Sequence, residues 1–270
     1  METQLPLKNI AVLVTRPRPF AEELQTYLDS MGAKTIVLPI FEIQPSSQQV
    51  RLAGIVDALD EFDMAIFISR NAVRYTWPLI HARWSQLPTI IWAAIGHGTA
   101  QDLISMGAQS VLYPPKTPYN SEHFLSLPPL QDIQGKKVLI FRGDQGRTLL
   151  AETLTARGAS VTLVETYVRN LTQISSENIQ NLYSDWDEQK IDVIVSTSND
   201  GLEQLAQLTC FIDKKNFTEI PVILVSERML VKAHDLGFKT CILAESASNS
   251  AILHALITWK KTVFNKPYVP

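Results

Sequence analysis

The chain states one pattern twice. Gly32-Ala-Lys-Thr-Ile-Val-Leu-Pro-Ile-Phe-Glu-Ile43 returns as Gly158-Ala-Ser-Val-Thr-Leu-Val-Glu-Thr-Tyr-Val-Arg169, with Gly32 against Gly158, Ala33 against Ala159 and Phe41 against Tyr167, an offset of 126. The same offset relates Val12 to Val138, Val14 to Ile140, Arg16 to Arg142, Leu24 to Leu150 and Leu28 to Leu154. Asp63 and Asp192, and Ser69 and Ser198, differ by 129, and Gly107 and Gly237 by 130, so short loop insertions shift the register. A solenoid repeats every 20 to 50 residues or so, and a far longer period means two similar domains. With 270 residues there is room for two α/β domains of ordinary size. The two echoing stretches are then paired crossings between lobes, and a cleft between lobes is the default place for a ligand.

Within each copy, short β-branched runs alternate with helical periodicity. Residues 10–14 predict a strand, Thr15-Arg-Pro-Arg-Pro19 a loop, and Phe20, Leu24, Tyr27 and Leu28 a helix that Gly32 closes before a strand over 35–38. Further strands are predicted over 64–69, 90–95, 110–113, 137–141, 191–196, 222–225 and 240–243. Helices are predicted near 52–59, from Asn71, over 98–106 and 149–157, up to about Trp186, and over 199–208, 227–236 and 248–260. Strands separated by single helices form parallel sheets covered on both faces. Polar stretches at 44–49 and 170–178 are expected linkers, a proline-punctuated loop follows 113, and residues from Thr262 are expected to form a loose tail.

Composition removes several classes of function. A net charge of -3 and a pI near 6.0 give no basic footprint for nucleic acid. Runs such as 64–68 and 90–95 fall far short of the ~20 apolar residues of a membrane helix. Cys210 and Cys241 follow no metal-ligand spacing, the five histidines are scattered, and the start Met-Glu-Thr-Gln-Leu-Pro has no leader pattern. No metal is expected, and the expected location is the cytoplasm. There is no Gly-x-Ser-x-Gly elbow, and a lone loop histidine such as His97 is ordinarily solvated.

The loops at strand ends carry the polar signal. Phe141-Arg-Gly-Asp-Gln-Gly-Arg147 turns a strand into a helix, where backbone N–H groups and the helix dipole can hold an anion beside Arg142 and Arg147. It is neither a dinucleotide fingerprint nor a P-loop, and an ordinary βα turn fits it equally well. Arg16 occupies the matching place in the first copy. Ser69-Arg-Asn-Ala72 and Ser196-Thr-Ser-Asn199 are first of all helix N-caps. With Ile95-Gly-His-Gly-Thr99 and Val225-Ser-Glu-Arg228 they make a set of like loops, which a doubly wound sheet gathers at one edge. Several helix N-termini facing one cleft suit a polyanion. Tyr167, taken alone, is a half-buried aromatic at a strand end.

Six of these segments, in order, resemble the uroporphyrinogen-III synthase (HemD) family: Val14-Thr-Arg16, Phe67-Ile-Ser-Arg-Asn-Ala-Val73, Ala94-Ile-Gly-His-Gly-Thr-Ala100, Arg142-Gly-Asp-Gln-Gly-Arg147, Glu165-Thr-Tyr-Val-Arg169 and Ser196-Thr-Ser-Asn199. The resemblance spans residues from about 10 to 256. It implies two similar HemD-like parallel-sheet α/β domains joined by a two-stranded connector, with substrate in the cleft. Domain 1 would be 1–40 with 169–270, domain 2 would be 41–168, and the crossings would lie near 38–45 and 164–171. It further implies a cofactor-independent enzyme that cyclises hydroxymethylbilane to uroporphyrinogen III; a monomer is expected, with the bilane-forming enzyme a candidate partner. Tyr167 resembles the family's proposed general acid, since a phenol keeps its proton at neutral pH. Arg16, Ser69, Thr99, Arg142, Gly143, Arg147, Thr197 and Ser198 become expected substrate contacts. Where the family commonly has Gly-x-x-Thr-Ala this chain has Ser226-Glu-Arg-Met-Leu230, so Ser226 and Arg228 are expected to substitute. The rival reading is a non-catalytic bilobal protein that closes on a small anion. A nucleotide-dependent transferase lacks its phosphate fingerprint.

Overall fold

The computed structural model describes residues 5–144, 148–172, 191–208 and 217–264. Arg147, Cys210, the expected helix near Trp186 and the tail beyond 264 lie outside them. The chain divides into two compact units, Met1–Glu42 with Leu171–Pro270, and Ile43–Asn170.

The first unit is built on five parallel strands. β1 (Ala11–Val14) lies between β2 (Lys34–Val37) and β9 (Val193–Val195), followed outward by β10 (Val222–Leu224) and β11 (Cys241–Leu243). Side chains of a strand alternate between faces. Val12, Val14, Val193 and Val195 therefore pack with α1 (Phe20–Ser30) and α9 (Asn249–Phe264) on one face. Leu13, Ile194, Val222 and Leu224 pack with α7 (Asn199–Leu208) and α8 (Glu227–Asp235) on the other. Helices on both faces explain why the strands are continuous apolar runs.

The second unit has six strands in the order β3-β8-β7-β4-β5-β6: β3 (Phe41–Pro45), β4 (Met64–Phe67), β5 (Ile91–Ala94), β6 (Val111–Leu112), β7 (Lys137–Gly143) and β8 (Ser160–Leu171). Its two cores are again made by alternation. Ala65, Phe67, Leu139 and Phe141 face α2 (Gln49–Asp57), α3 (Arg70–Arg83) and α4 (His97–Ser105). Met64, Ile66, Val138 and Ile140 face α5 (Ser121–Leu125) and α6 (Leu149–Ala156).

The two units share a topology that the chain reaches in different orders. Taking the βαβ piece first, unit one reads β2-β1-β9-β10-β11 and unit two β8-β7-β4-β5-β6, both the flavodoxin-like order 2-1-3-4-5. In the first unit, β1 of the first copy pairs with β9 of the second. In the other, β7 of the second copy pairs with β4 of the first. The second copy thus gives its βαβ piece to unit two and its remaining three strands to unit one, while the first gives its βαβ piece to unit one and its remaining four strands, β3 to β6, to unit two.

Both units close their helices alike. After α1, α4, α6 and α8 come Gly32, Gly107, Gly158 and Gly237, with φ of 89°, 109°, 86° and 88°. The next residue bonds back to the last turn in a Schellman motif, as in Ala33 N–H to Leu28 O and Phe238 N–H to Ala233 O. At the crossings, Ser46 donates its amide to the Thr166 carbonyl and Thr172 to Ile40. Numbers rise on one strand as they fall on the other, so β3 and β8 are antiparallel.

Several expectations are corrected. The segment 44–49 is not a linker throughout, because Gln44 and Pro45 belong to β3 and Gln49 already opens α2. α3 opens at Arg70, capped by Ser69, rather than at Asn71. The loop after 113 contains α5, capped by Asn120 and held by buried Phe124 and Leu125. Five residues are too few to display a helical period. α9 runs on to Phe264, into the expected tail. No helix among the described residues is long and apolar enough to cross a membrane.

Candidate active site

In the order 2-1-3-4-5 the chain changes direction between the first and third strands, and a crevice opens there beyond their carboxyl ends. In unit two those strands are β7 and β4, which end at Gly143 and Phe67. β7 and β8 pair regularly up to Arg142 with Glu165, and then Gly143 faces Tyr167. The skipped residue, Thr166, turns its hydroxyl onto the Arg142 carbonyl at 3.1 Å. This bulge re-aims the strand.

It brings the Tyr167 ring against Gly143, where a Cβ would lie 2.7 Å from two ring carbons. Tyr75 of α3 stacks on the same ring, with centroids 6.2 Å apart. The phenolic oxygen sits 3.0 Å from Ser69 Oγ, which also accepts the Ala72 amide at 3.2 Å as the cap of α3. Tyr167 is only 1% exposed, whereas Ser69 is half-buried. The loop is tied down beyond it: the Asp144 amide donates to the Tyr167 carbonyl at 3.0 Å, and its carboxylate accepts the Arg169 amide at 3.2 Å.

Tyr167 is therefore neither half-buried nor at a strand end, because β8 continues into its pairing with β3. Arg142 donates through Nε to the Gly143 carbonyl at 3.1 Å and lines a ≈ 140 Å³ cavity with Ile68, Ile95, Ser121 and Leu150. Thr99 is buried in the first turns of α4. The exposed His97 beside it meets the rings of Tyr113 and Tyr119, with centroids 5.9 and 6.3 Å away.

In unit one the corresponding strands are β1 and β9. Thr15 bonds across their ends, its hydroxyl donating to the Val195 carbonyl at 3.0 Å. Arg16, 8% exposed, donates to Asn249 Oδ1 at 2.9 Å and to the Ala247 carbonyl, which pins it to the start of α9. Ser198 caps α7 by accepting the Gly201 amide at 3.0 Å, and Thr197 beside it is half-buried. Ser226 caps α8 through the Met229 amide at 3.3 Å, and Arg228 is exposed in the first turn.

The structure thus brings Tyr167, Ser69 and Gly143 into contact, with Arg142 next to them, and turns Arg16 inward. Tyr75 and Asn249 complete these groups without any local motif to mark them. Among the described residues no group of three or more His, Cys, Asp or Glu could hold a metal ion.

Two parallel α/β domains, each with hydroxyl and arginine side chains at the switch point of a 2-1-3-4-5 sheet, define the class of protein. A family model described as uroporphyrinogen-III synthase HemD matches residues 22–254. The chain is 36% identical over 251 residues to the uroporphyrinogen-III synthase of Escherichia coli (strain K12), covering 92% of this chain and 100% of that one. It is 32% identical over 252 residues to that of Salmonella typhimurium, with the same coverage. Among solved structures, a mutant uroporphyrinogen III synthase of Thermus thermophilus matches 95% of this chain and 100% of its own with a TM-score of 0.58. That of Helicobacter pylori matches 93% and 99% with a TM-score of 0.54; both are 16% identical and speak for the fold. The chain belongs to the uroporphyrinogen-III synthase family.

Proposed function

We propose that this chain is a uroporphyrinogen-III synthase. It is a cyclising lyase that uses no cofactor and closes hydroxymethylbilane into uroporphyrinogen III, with inversion of ring D and loss of water. The observation that carries this is the match along the whole of the Escherichia coli enzyme. The chemistry sets three demands. A hydroxyl leaving group needs a proton donor, eight carboxylates need anchors, and the chain must be folded so that the substituted carbon of ring D attacks.

Tyr167 is the proton source. The helix starts capped by Ser69, Ser198 and Ser226 offer backbone N–H groups to carboxylates, and Arg142, Arg147 and Arg228 add charge. Thr99, Gly143 and Thr197 contribute through the adjacent backbone or side chain. Arg16 holds the loop after β1 to the start of α9 and acts on substrate through that loop. The enzyme works as a monomer in the cytoplasm, and the bilane-forming enzyme is its candidate supplier.

The test is a coupled assay in which the purified chain, without metal or added cofactor, receives freshly made hydroxymethylbilane and the product isomers are resolved. The type III isomer is expected to predominate. Product left as the symmetric type I isomer, which forms spontaneously, would remove the assignment.

A further inference from the structure

We propose that Ser69 is the catalytic group that hands the proton to the leaving hydroxyl, and that the buried phenol of Tyr167 supplies it from behind. The proposal rests on the function given above and deepens it. A phenol that is 1% exposed does not touch substrate, and among the described residues its one hydrogen-bond partner is Ser69 Oγ at 3.0 Å. Ser69 is the more open of the two and stands where β4 gives way to α3, beside the switch point.

The geometry also gives the pair a direction. A serine hydroxyl has one proton and two lone pairs, and one lone pair already takes the Ala72 amide at 3.2 Å. Were Ser69 to donate to the phenol, the buried phenolic proton would have no acceptor among the described residues, a costly arrangement. The phenol therefore donates into the second lone pair, and the Ser69 proton is free to point away from both partners.

In the reaction the carbon–oxygen bond of the hydroxymethyl group breaks, its oxygen takes the Ser69 proton and leaves as water, and Ser69 takes the Tyr167 proton. The substituted carbon of ring D bonds to the freed methylene carbon, its older bond to the neighbouring bridge carbon breaks and re-forms at the unsubstituted carbon of ring D, and that carbon sheds its hydrogen as a proton. That proton returns through Ser69 to the phenolate, so the pair ends as it began and no oxidant or reductant is needed.

The alternative is that Ser69 only caps α3. Ser69→Gly separates the two roles, because glycine is nearly as good an N-cap as serine but has no hydroxyl, and Ser69→Thr restores the hydroxyl. We expect Ser69→Gly and Tyr167→Phe each to lower kcat about ten- to a thousandfold, with KM changed by less than about threefold. The double variant should be no slower than the slower single variant, because the two groups act in series. Ser69→Thr should recover most of kcat. A folded Ser69→Gly with undiminished kcat, a rise in KM alone, or losses that multiply in the double variant would each overturn the relay. If the unaltered chain yields type III product while Ser69→Gly keeps full kcat, only the relay falls. If the unaltered chain leaves type I product, the assigned function falls with it.

Discussion

At Gly143 there is no room for a side chain. A Cβ there would lie 2.7 Å from Cε2 and Cζ of Tyr167 and 3.1 Å from its hydroxyl. The ring is also engaged by Tyr75, which stacks on it with centroids 6.2 Å apart and is itself held by its hydroxyl on the Ile43 carbonyl at 2.7 Å. Gly143→Ala should therefore push the phenol off Ser69, lowering kcat about tenfold or more and stability by about 1–3 kcal/mol. Steady-state rates and urea midpoints measure both, and an alanine variant with unchanged kcat would show that the ring's position is immaterial. The sequence marked Gly143 as backbone for an anion, because a glycine in a βα turn looks like that. Its tight approach to the Tyr167 ring depends on a bulge, and a bulge belongs to the pairing of two strands rather than to either. Arg16 and Arg142 teach the same lesson. The offset makes them equivalent, yet Arg16 is spent on Asn249 and Ala247, more than 230 positions away, and no local pattern announces that.

Helices and strands were legible wherever burial wrote a long enough pattern. The strands on both sides of each sheet's centre read as apolar runs because helices cover both faces, while α5 was missed because it is short, and β3 was expected only as one strand of the connector near 38–45 that the resemblance implies. The helix ends were legible too, through glycine, and they allow a controlled comparison. Gly107 and Gly237 sit at φ of 109° and 88°, with nothing within 4 Å of an added Cβ, so alanine there meets no clash and costs only the backbone conformation. Gly107→Ala and Gly237→Ala should each lose about 1 kcal/mol. Gly54 is exposed inside α2 and also has open space, but its backbone is helical. Gly54→Ala should gain about 0.5–1 kcal/mol. Urea unfolding of the three variants checks the pattern, and equal effects at Gly54 and Gly237 would contradict the conformational argument.

At the scale of the whole chain, the offset of 126 reveals two copies but not which βαβ piece pairs with which remainder. That information lies in contacts such as Thr15 with Val195, 180 positions apart. The pairing makes one unit continuous and the other split, and it leaves each with its own pair of cores. A compact unit with its own core can fold alone. Residues 43–170, expressed by themselves, should unfold in urea in a single cooperative transition and keep a near-ultraviolet signal from Trp77 and Trp92, whose rings lie 5.3 Å apart. The split unit needs only a short turn to become continuous, because the Thr172 amide already bonds the Ile40 carbonyl at 3.0 Å. Joining Glu42 to Leu171 through two to four or so Gly and Asn residues, the chemistry of a hairpin turn, should give a second cooperatively folding chain. If either chain shows a broad, non-cooperative transition without near-ultraviolet structure, its core does not stand alone, and the units are parts of one folding body despite their separate sheets.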